Sequence, residues 1–268
     1  MRFRPAASAA LVLTALATAS VVGTSVVGVT AASAAKTKQP ATITVLVTND
    51  DGVGAPGIDA LVEALRKQKH TKVVVVAPDS NKTGTSGTTT EGPLPTAATT
   101  TASGYTATAV TGFPADTITA ALDQLGVKPN VVMSGINVGQ NMGTLTNLSG
   151  TVGAAKAAAA RGIPALAISQ GFADAPQYDS GAKLAVDWLN QHRATLAKKP
   201  KTAPTTIANL NVPNCPSGKP RGVKNVVTAD TNDKAFIDAD CAAQVTAPKT
   251  DIEAFNAGWA ALAPVTAG

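Results

Sequence analysis

Short runs of β-branched residues, each cut off by polar turn-formers and separated by helical stretches, limit this chain to few folds. Residues 43–47 read I-T-V-L-V and stop at Thr48, Asn49, Asp50, Asp51 and Gly52. Residues 73–76 are four valines that stop at Ala77, Pro78 and Asp79. Such runs suit buried strands and are too short for helices. Between them, residues 56–69 place Ile58, Leu61, Val62 and Leu65 at helical spacing, behind a proline that fits a first turn. Strand, helix and strand in about 35 residues make a βαβ unit. The pattern then repeats more loosely, with strands predicted over 105–110, 130–133, 164–169 and 206–212 and helices over 114–125, 151–161 and 179–196. Residues 83–103, including a Thr/Ala patch at 96–101, and the glycine-punctuated stretch 134–150 read as loops. This order predicts an α/β fold with a doubly wound, mostly parallel sheet whose ligand site lies outside the carboxyl ends of the strands. Residues 222–247 are less regular, with Val226 and Val227 suggesting a strand, and read as an appended arm or β-hairpin.

Composition supports buried parallel strands. Aromatic residues are only 3% of the chain, so its core must be built from Val, Ile, Leu and Ala. Residues 1–35 read as a secretory signal peptide: Arg2 and Arg4 precede a run of small and apolar residues that closes at Ala32, Ser33, Ala34 and Ala35. Cleavage is expected near Ala34 or Ala35, leaving 36–268 as one secreted domain with 213–268 as its closing arm. The alternative is a retained anchor; with cleavage, no membrane association is expected. The net charge of +5 falls to +3 once Arg2 and Arg4 leave. The remaining Lys and Arg are scattered, as at Lys67, Lys128, Lys156 and Lys183, rather than set in a stripe with interleaved aromatics, which argues against binding a nucleic-acid duplex. Cys215 and Cys241 both fall in the exported part, where a disulfide persists. A single bridge is expected, against the alternative of two free thiols.

Three polar clusters sit where predicted strands end. Asp50 and Asp51 are adjacent carboxylates that raise each other's pKa unless a cation or hydrogen-bond donors hold them. Hard divalent ions prefer the carboxylate, amide and hydroxyl oxygens available here, though the pair could also merely cap the next turn. The second cluster runs from Ala77 to Gly84 and offers Lys82 and the Thr83 hydroxyl beside a glycine, a composition that a plain turn also uses. The third follows Met133 with Ser134, Gly135, Ile136, Asn137, Val138, Gly139, Gln140 and Asn141, and leads to Ser149, Gly150 and Thr151 at a helix start. Free N–H groups at a helix N-terminus favour phosphate, and an ordinary N-cap by Ser149 is the alternative. Together, carboxylates, a hydroxyl, an amide and an anion-binding helix start at one sheet edge describe metal-assisted phosphoryl chemistry.

The motifs V-T-N-D-D-G-V-G-A-P-G-I at 47–58, V-V-A-P-D-S-N-K-T-G at 75–84, G-F-P-A-D at 112–116, S-G-I-N-V-G-Q-N at 134–141 and S-G-T-V at 149–152 resemble the SurE family of nucleotidases and acid phosphatases. N-L-N-V-P at 209–213 and T-D-I-E-A-F-N-A-G-W at 250–259 extend the resemblance over nearly all of the chain after the leader. It implies a Rossmann-like core, a homodimer or homotetramer built through C-terminal arms, and hydrolysis of nucleoside monophosphates. It also implies one divalent ion, Mg²⁺ or Mn²⁺ with Ca²⁺ as a substitute, on Asp50, Asp51, Thr83 and Asn137. Asn49, Asn141, Ser149, Gly150 and Thr151 fall at the family's phosphate-facing positions, and Lys82 and Gly84 flank the Thr83 ligand as further phosphate contacts. Asp50, Asp51 and Asn137 would carry catalysis. Thr83 stands where the family usually has Ser, Leu148 where it has Tyr and Ala157 where it has Glu. A secreted protein that binds a phosphate compound without hydrolysing it is the alternative; a serine hydrolase lacks its G-x-S-x-G elbow and a placed histidine.

Overall fold

A computed structural model describes residues 41–216 and 218–268; the expected signal peptide lies outside the described residues. Nine strands, β1 (Ile43–Thr48), β2 (Thr71–Pro78), β3 (Thr96–Thr100), β4 (Thr106–Val110), β5 (Val131–Val138), β6 (Ala165–Gln170), β7 (Thr206–Val212), β8 (Val223–Asn225) and β9 (Ala260–Thr266), form one sheet. Their order is β3-β4-β2-β1-β5-β6-β7-β9-β8. The six strands from β4 to β7 in that order run parallel, while β3 and β9 pair antiparallel with β4 and β7. The chain leaves β1 for β2 on one side and later returns to place β5 on the other. The β1/β5 junction is therefore the topological switch point, where adjacent connections diverge and open a crevice.

Alternation along the strands explains the two helical layers. Ile43, Val45 and Val47 of β1 share one core with Leu61 and Leu65 of α1 (Pro56–Arg66) and Leu189 of α4 (Tyr178–Leu196). Leu46 points the other way and joins Val76, Val132 and Ile118 of α2 (Pro114–Thr119). The same core takes Ala155, Ala158 and Ala159 of α3 (Gly150–Ala160). Period-two side-chain direction makes this sandwich possible, since strands covered on both faces bury every residue. Alanines on α3 let its axis lie close to the sheet, which brings the helix start to the end of β1.

Several expectations change in detail. The Thr/Ala patch read as part of a loop contains β3, an exposed edge strand held by antiparallel bonds to β4. Its side chains carry no apolar alternation that would announce it. The predicted strand over 130–133 continues through the supposed loop to Val138, with a register shift between Ser134 and Asn137. Gly135 has φ +142°, and a Cβ there would run into the carbonyl oxygen of Ile168. Glycine is needed for that close approach and disguised the strand as a turn. The predicted helix over 114–125 is α-helical only to Thr119 and finishes as a π-helical turn at Ala120–Gln124.

The C-terminal arm is not a hairpin. The strand suggested at Val226 and Val227 forms instead at Val223–Asn225, pairs β9 in parallel, and leaves Val227 a single bridge to Thr250. The rest of the arm is irregular up to α5 (Asp251–Asn256) and is held by long-range contacts. The Arg221 guanidinium lies 4.5 Å from the Trp259 ring and donates to the carbonyl oxygens of Ala243 and Val245. Cys215 and Cys241 form the expected disulfide, with Cα atoms 5.8 Å apart. The bridge joins positions 26 apart in sequence, closing a loop that carries the short strand β8. Replacing both cysteines with serine should lower unfolding free energy by about 3 kcal/mol, from loop-closure entropy. Urea unfolding of the variant beside the oxidised protein checks this.

Candidate active site

The carboxyl end of β1 carries an unusual load of buried polarity: Thr48 and Asn49 are fully buried, and Asp50 is 1% exposed. Each has a built environment. The Thr48 hydroxyl pairs with that of Thr117 at 2.8 Å, and the Asn49 amide donates to the Gly52 carbonyl at 2.8 Å, closing the turn. Asp50 accepts a 2.5 Å hydrogen bond from the Thr151 hydroxyl in the first turn of α3. Gly150 makes this approach possible, because a Cβ there would sit 2.8 Å from the Cβ of Asp50. Burial pushes the Asp50 carboxyl above the usual carboxylate range, and the bonds from Thr151 only partly offset it. Asp51 is half-buried and pushed up to about 6, first by desolvation and second by the charge of Asp50. The Val138 N–H, donating at 3.3 Å, opposes that rise.

Across the switch point, Asn137 near the tip of β5 donates its side-chain amide to the carbonyls of Gly139 at 2.7 Å and Val138 at 3.2 Å. Those bonds fix the orientation of the group and leave its Oδ1 buried with no hydrogen-bond partner. The Oδ1 of Asn49 is also buried and unpartnered. Unsatisfied buried acceptors are uncommon and point to a missing electron-pair acceptor. A pocket of about 180 Å³ opens here, lined by Asp50, Thr83, Gly84, Asn137, Asn141 and Ser149. Six residues singled out by sequence thus meet in one place.

Several expected site residues, including two of those in the pocket lining, spend their polar atoms on the protein itself. The Lys82 ammonium turns toward Asp79, 4.0 Å away, and does not line the pocket; its backbone N–H instead donates to the Asp50 carbonyl at 2.6 Å. The Ser149 hydroxyl accepts from the Val152 N–H at 3.1 Å, which is the N-cap alternative, and Thr151 spends its hydroxyl on Asp50. Asn141 is tied into a polar network: its N–H donates to Asn211 at 2.7 Å, its side-chain amide to Ser169 at 2.9 Å, and its carbonyl accepts from Asn209 at 2.8 Å. These residues build the site's frame. Sequence reasoning missed Gln140 as a positioned side chain, and Phe172 and Phe236 as pocket walls. The available signal was scarcity: the chain has five phenylalanines, and an aromatic just past the end of a strand merits notice. Of the family departures, Leu148 stands exposed on the pocket rim and Ala157 packs against the alanine-rich core.

The donor set suits a hard divalent cation. Among the described residues no three His, Cys, Asp or Glu side chains gather, so a metal here would need oxygen from Asn and Thr. Two carboxylates above their usual range, beside a buried amide oxygen with no donor, supply negative potential and free lone pairs. Without a cation, folded Asp51 holds its proton to about pH 6. The unfolded chain releases that proton near pH 4, so unfolding free energy should fall as pH rises from about 4 to 6. Thermal unfolding in EDTA is expected to show the Tm of the wild type falling relative to that of Asp51→Asn across that window. Asp51→Asn should flatten the slope and raise the Tm at neutral pH.

Comparison with known proteins agrees with this geometry. The family model described as "Survival protein SurE" matches residues 45–235. The 5'-nucleotidase SurE of Carboxydothermus hydrogenoformans is 40% identical over 185 residues, covering 67% of this chain and 68% of that protein. The 5'-nucleotidase SurE of Fervidobacterium nodosum is 31% identical over 241 residues, covering 83% and 90%. The crystal structure of the SurE protein from Aquifex aeolicus superposes with a TM-score of 0.68 at 28% identity, covering 84% of this chain and 94% of that one. The matched span contains the β1 carboxylates, the β5 tip and the start of α3, and on these grounds the chain belongs to the SurE family.

Proposed function

We propose that this protein is a phosphoric monoester hydrolase that cleaves nucleoside monophosphates, with a divalent cation held at the β1/β5 switch point. The unpartnered Oδ1 of Asn137 beside two carboxylates under electrostatic stress carries the reading, because one cation would take up that oxygen's free lone pair and offset the paired like charges at once. Two relatives named 5'-nucleotidase support the choice of substrate class.

The protein's own groups divide the work. Asp50, fixed by Thr151, and Asn137, fixed by the carbonyls of Val138 and Gly139, present oxygens whose positions are set before any ligand arrives. Thr83 lines the pocket from its exposed rim, and Asp51, half-buried beside Asp50 and outside the pocket lining, would complete the set. A divalent cation, when bound, supplies Lewis acidity toward a phosphoryl oxygen and acidifies water. Asp51, the less buried carboxylate, is the group able to orient a water and take its proton as oxygen attacks phosphorus. The new P–O bond forms as the ester P–O bond breaks, and the departing alkoxide takes up a proton to leave as the nucleoside. The N-terminus of α3 meets the pocket at Ser149, where the partial positive charge of the helix favours the phosphoryl oxygens. No His or Cys lines the pocket, which favours direct attack by water over a phosphorylated side chain of either type.

Export belongs to the same proposal: the Arg2 and Arg4 leader and the Cys215–Cys241 bridge both suit an oxidising compartment outside the cytoplasm. Purified protein should release inorganic phosphate from AMP with Mg²⁺ or Mn²⁺ and stop when EDTA is added. Asp50→Asn should lower kcat by about 10²-fold or more while circular dichroism stays unchanged. AMP binding without turnover in the wild type would replace the hydrolase with a binding protein.

A further inference from the structure

The pocket is walled on one side by groups that phosphoryl chemistry does not need. Phe172 and Phe236 are 55% and 63% exposed, yet both line the pocket that contains Asp50, Thr83 and Asn137. They come from distant stretches, the loop after β6 and the irregular arm, and their rings meet with centroids 6.4 Å apart and planes tilted by 35°. Two features hold them there. Gly139 has φ +102°, and a Cβ on it would collide with the Phe172 ring, so the ring lies directly on the backbone two residues past Asn137. Gln140, only 6% exposed, accepts from the Phe172 N–H at 3.2 Å through its side-chain oxygen and donates to the Ala235 carbonyl at 2.8 Å through its side-chain nitrogen. One buried amide therefore fastens both phenylalanine-bearing segments to the strand tip that carries the amide oxygen. Ala235 is itself fully buried against Met142 and Phe255, which anchors the residue next to Phe236. A second cavity of about 280 Å³ borders the same Gln140 and Phe172.

We propose that Phe172 and Phe236 form the platform on which the base of a nucleoside monophosphate stacks, and that Gln140 is the positioning residue that sets this platform relative to the carboxylates. The proposal rests on the nucleotidase reading above. Exposed aromatic rings attached to a phosphoryl pocket match a ligand with a phosphate at one end and a flat π-face at the other. The rings have no polar atoms, and both polar ends of Gln140 are already engaged. The platform therefore selects for the presence of a base and discriminates weakly among bases, since every base has a π-face.

Ribose 5-phosphate is AMP without its base, so the pair isolates the contact. In the wild type, kcat/KM is expected to favour AMP over ribose 5-phosphate. Phe172→Leu and Phe236→Leu, which keep apolar bulk and lose the ring, should each cut that ratio by about fivefold or more, the low end of base–aromatic stacking. Gln140→Ala should shift the ratio in the same direction, whereas a general loosening of the fold would lower both substrates together. A ratio near one in the wild type, or one unmoved by either phenylalanine variant, overturns the platform while leaving the hydrolase reading intact. Should the wild type turn over neither compound, the hydrolase reading fails, and calorimetric affinities decide the platform. Tighter binding of AMP than ribose 5-phosphate that is lost in Phe236→Leu supports it, and equal affinities overturn it.

Discussion

Two neighbouring carboxylates are drawn out of water where the first strand ends, and the surrounding architecture answers the cost of doing so. Asp50 is nearly inaccessible and Asp51 half-covered, and burial outweighs every hydrogen bond they receive. A fold that only needed a turn here would not bring two like charges together. Glycine at 150 lets a helix start press against Asp50, Thr151 donates to it, and the tip of β5 brings a backbone N–H to Asp51. These contacts join three segments, the end of β1, the tip of β5 and the start of α3, and the first two are neighbours because β1 pairs with β5. The switch-point topology thus brings the ends of two neighbouring strands to one crevice and gives the charged pair its amide neighbour.

The same logic explains which parts of the structure could be read in advance. β1 and β2 stand out because runs of Val and Ile ended by Asn, Asp or Pro leave few other choices. The carboxylates and Asn137 were legible as chemistry at strand ends, since the strand order alone predicts where such ends gather. β3 was hidden because an exposed edge strand of Thr and Ala has no buried face to impose a pattern. The tip of β5 was hidden because Gly135 and Asn137 have the composition of a turn, although here the glycine serves a close strand approach. The roles of Thr151 and Gln140 depend on partners 101 and 95 residues away, which no local periodicity encodes.

The arm is held by side-chain contacts more than by a strand ladder. Its path is fixed by the disulfide, by Arg221 against Trp259, and by the buried cluster of Met142, Ala235, Ile252 and Phe255. Those constraints act on a segment with little regular hydrogen bonding of its own, so side-chain contacts must replace a strand ladder. The pocket takes Phe236 from this arm and Phe172 from the loop after β6, while Leu148 stands exposed on its rim. The Asp50 and Asn137 oxygens thus sit at strand ends of the sheet, and the aromatic walls of the pocket come from loops and the arm.

The proposed hydrolysis depends on a cation sitting between the paired aspartates and the amide of the fifth strand. Diffraction from crystals soaked in Mn²⁺, collected at an energy where manganese scatters anomalously, tests this directly. A single strong peak within coordination distance of Asp50 and the Asn137 Oδ1 is the predicted result. An empty map there, at a manganese concentration that fills exposed carboxylate sites elsewhere on the surface, would contradict it.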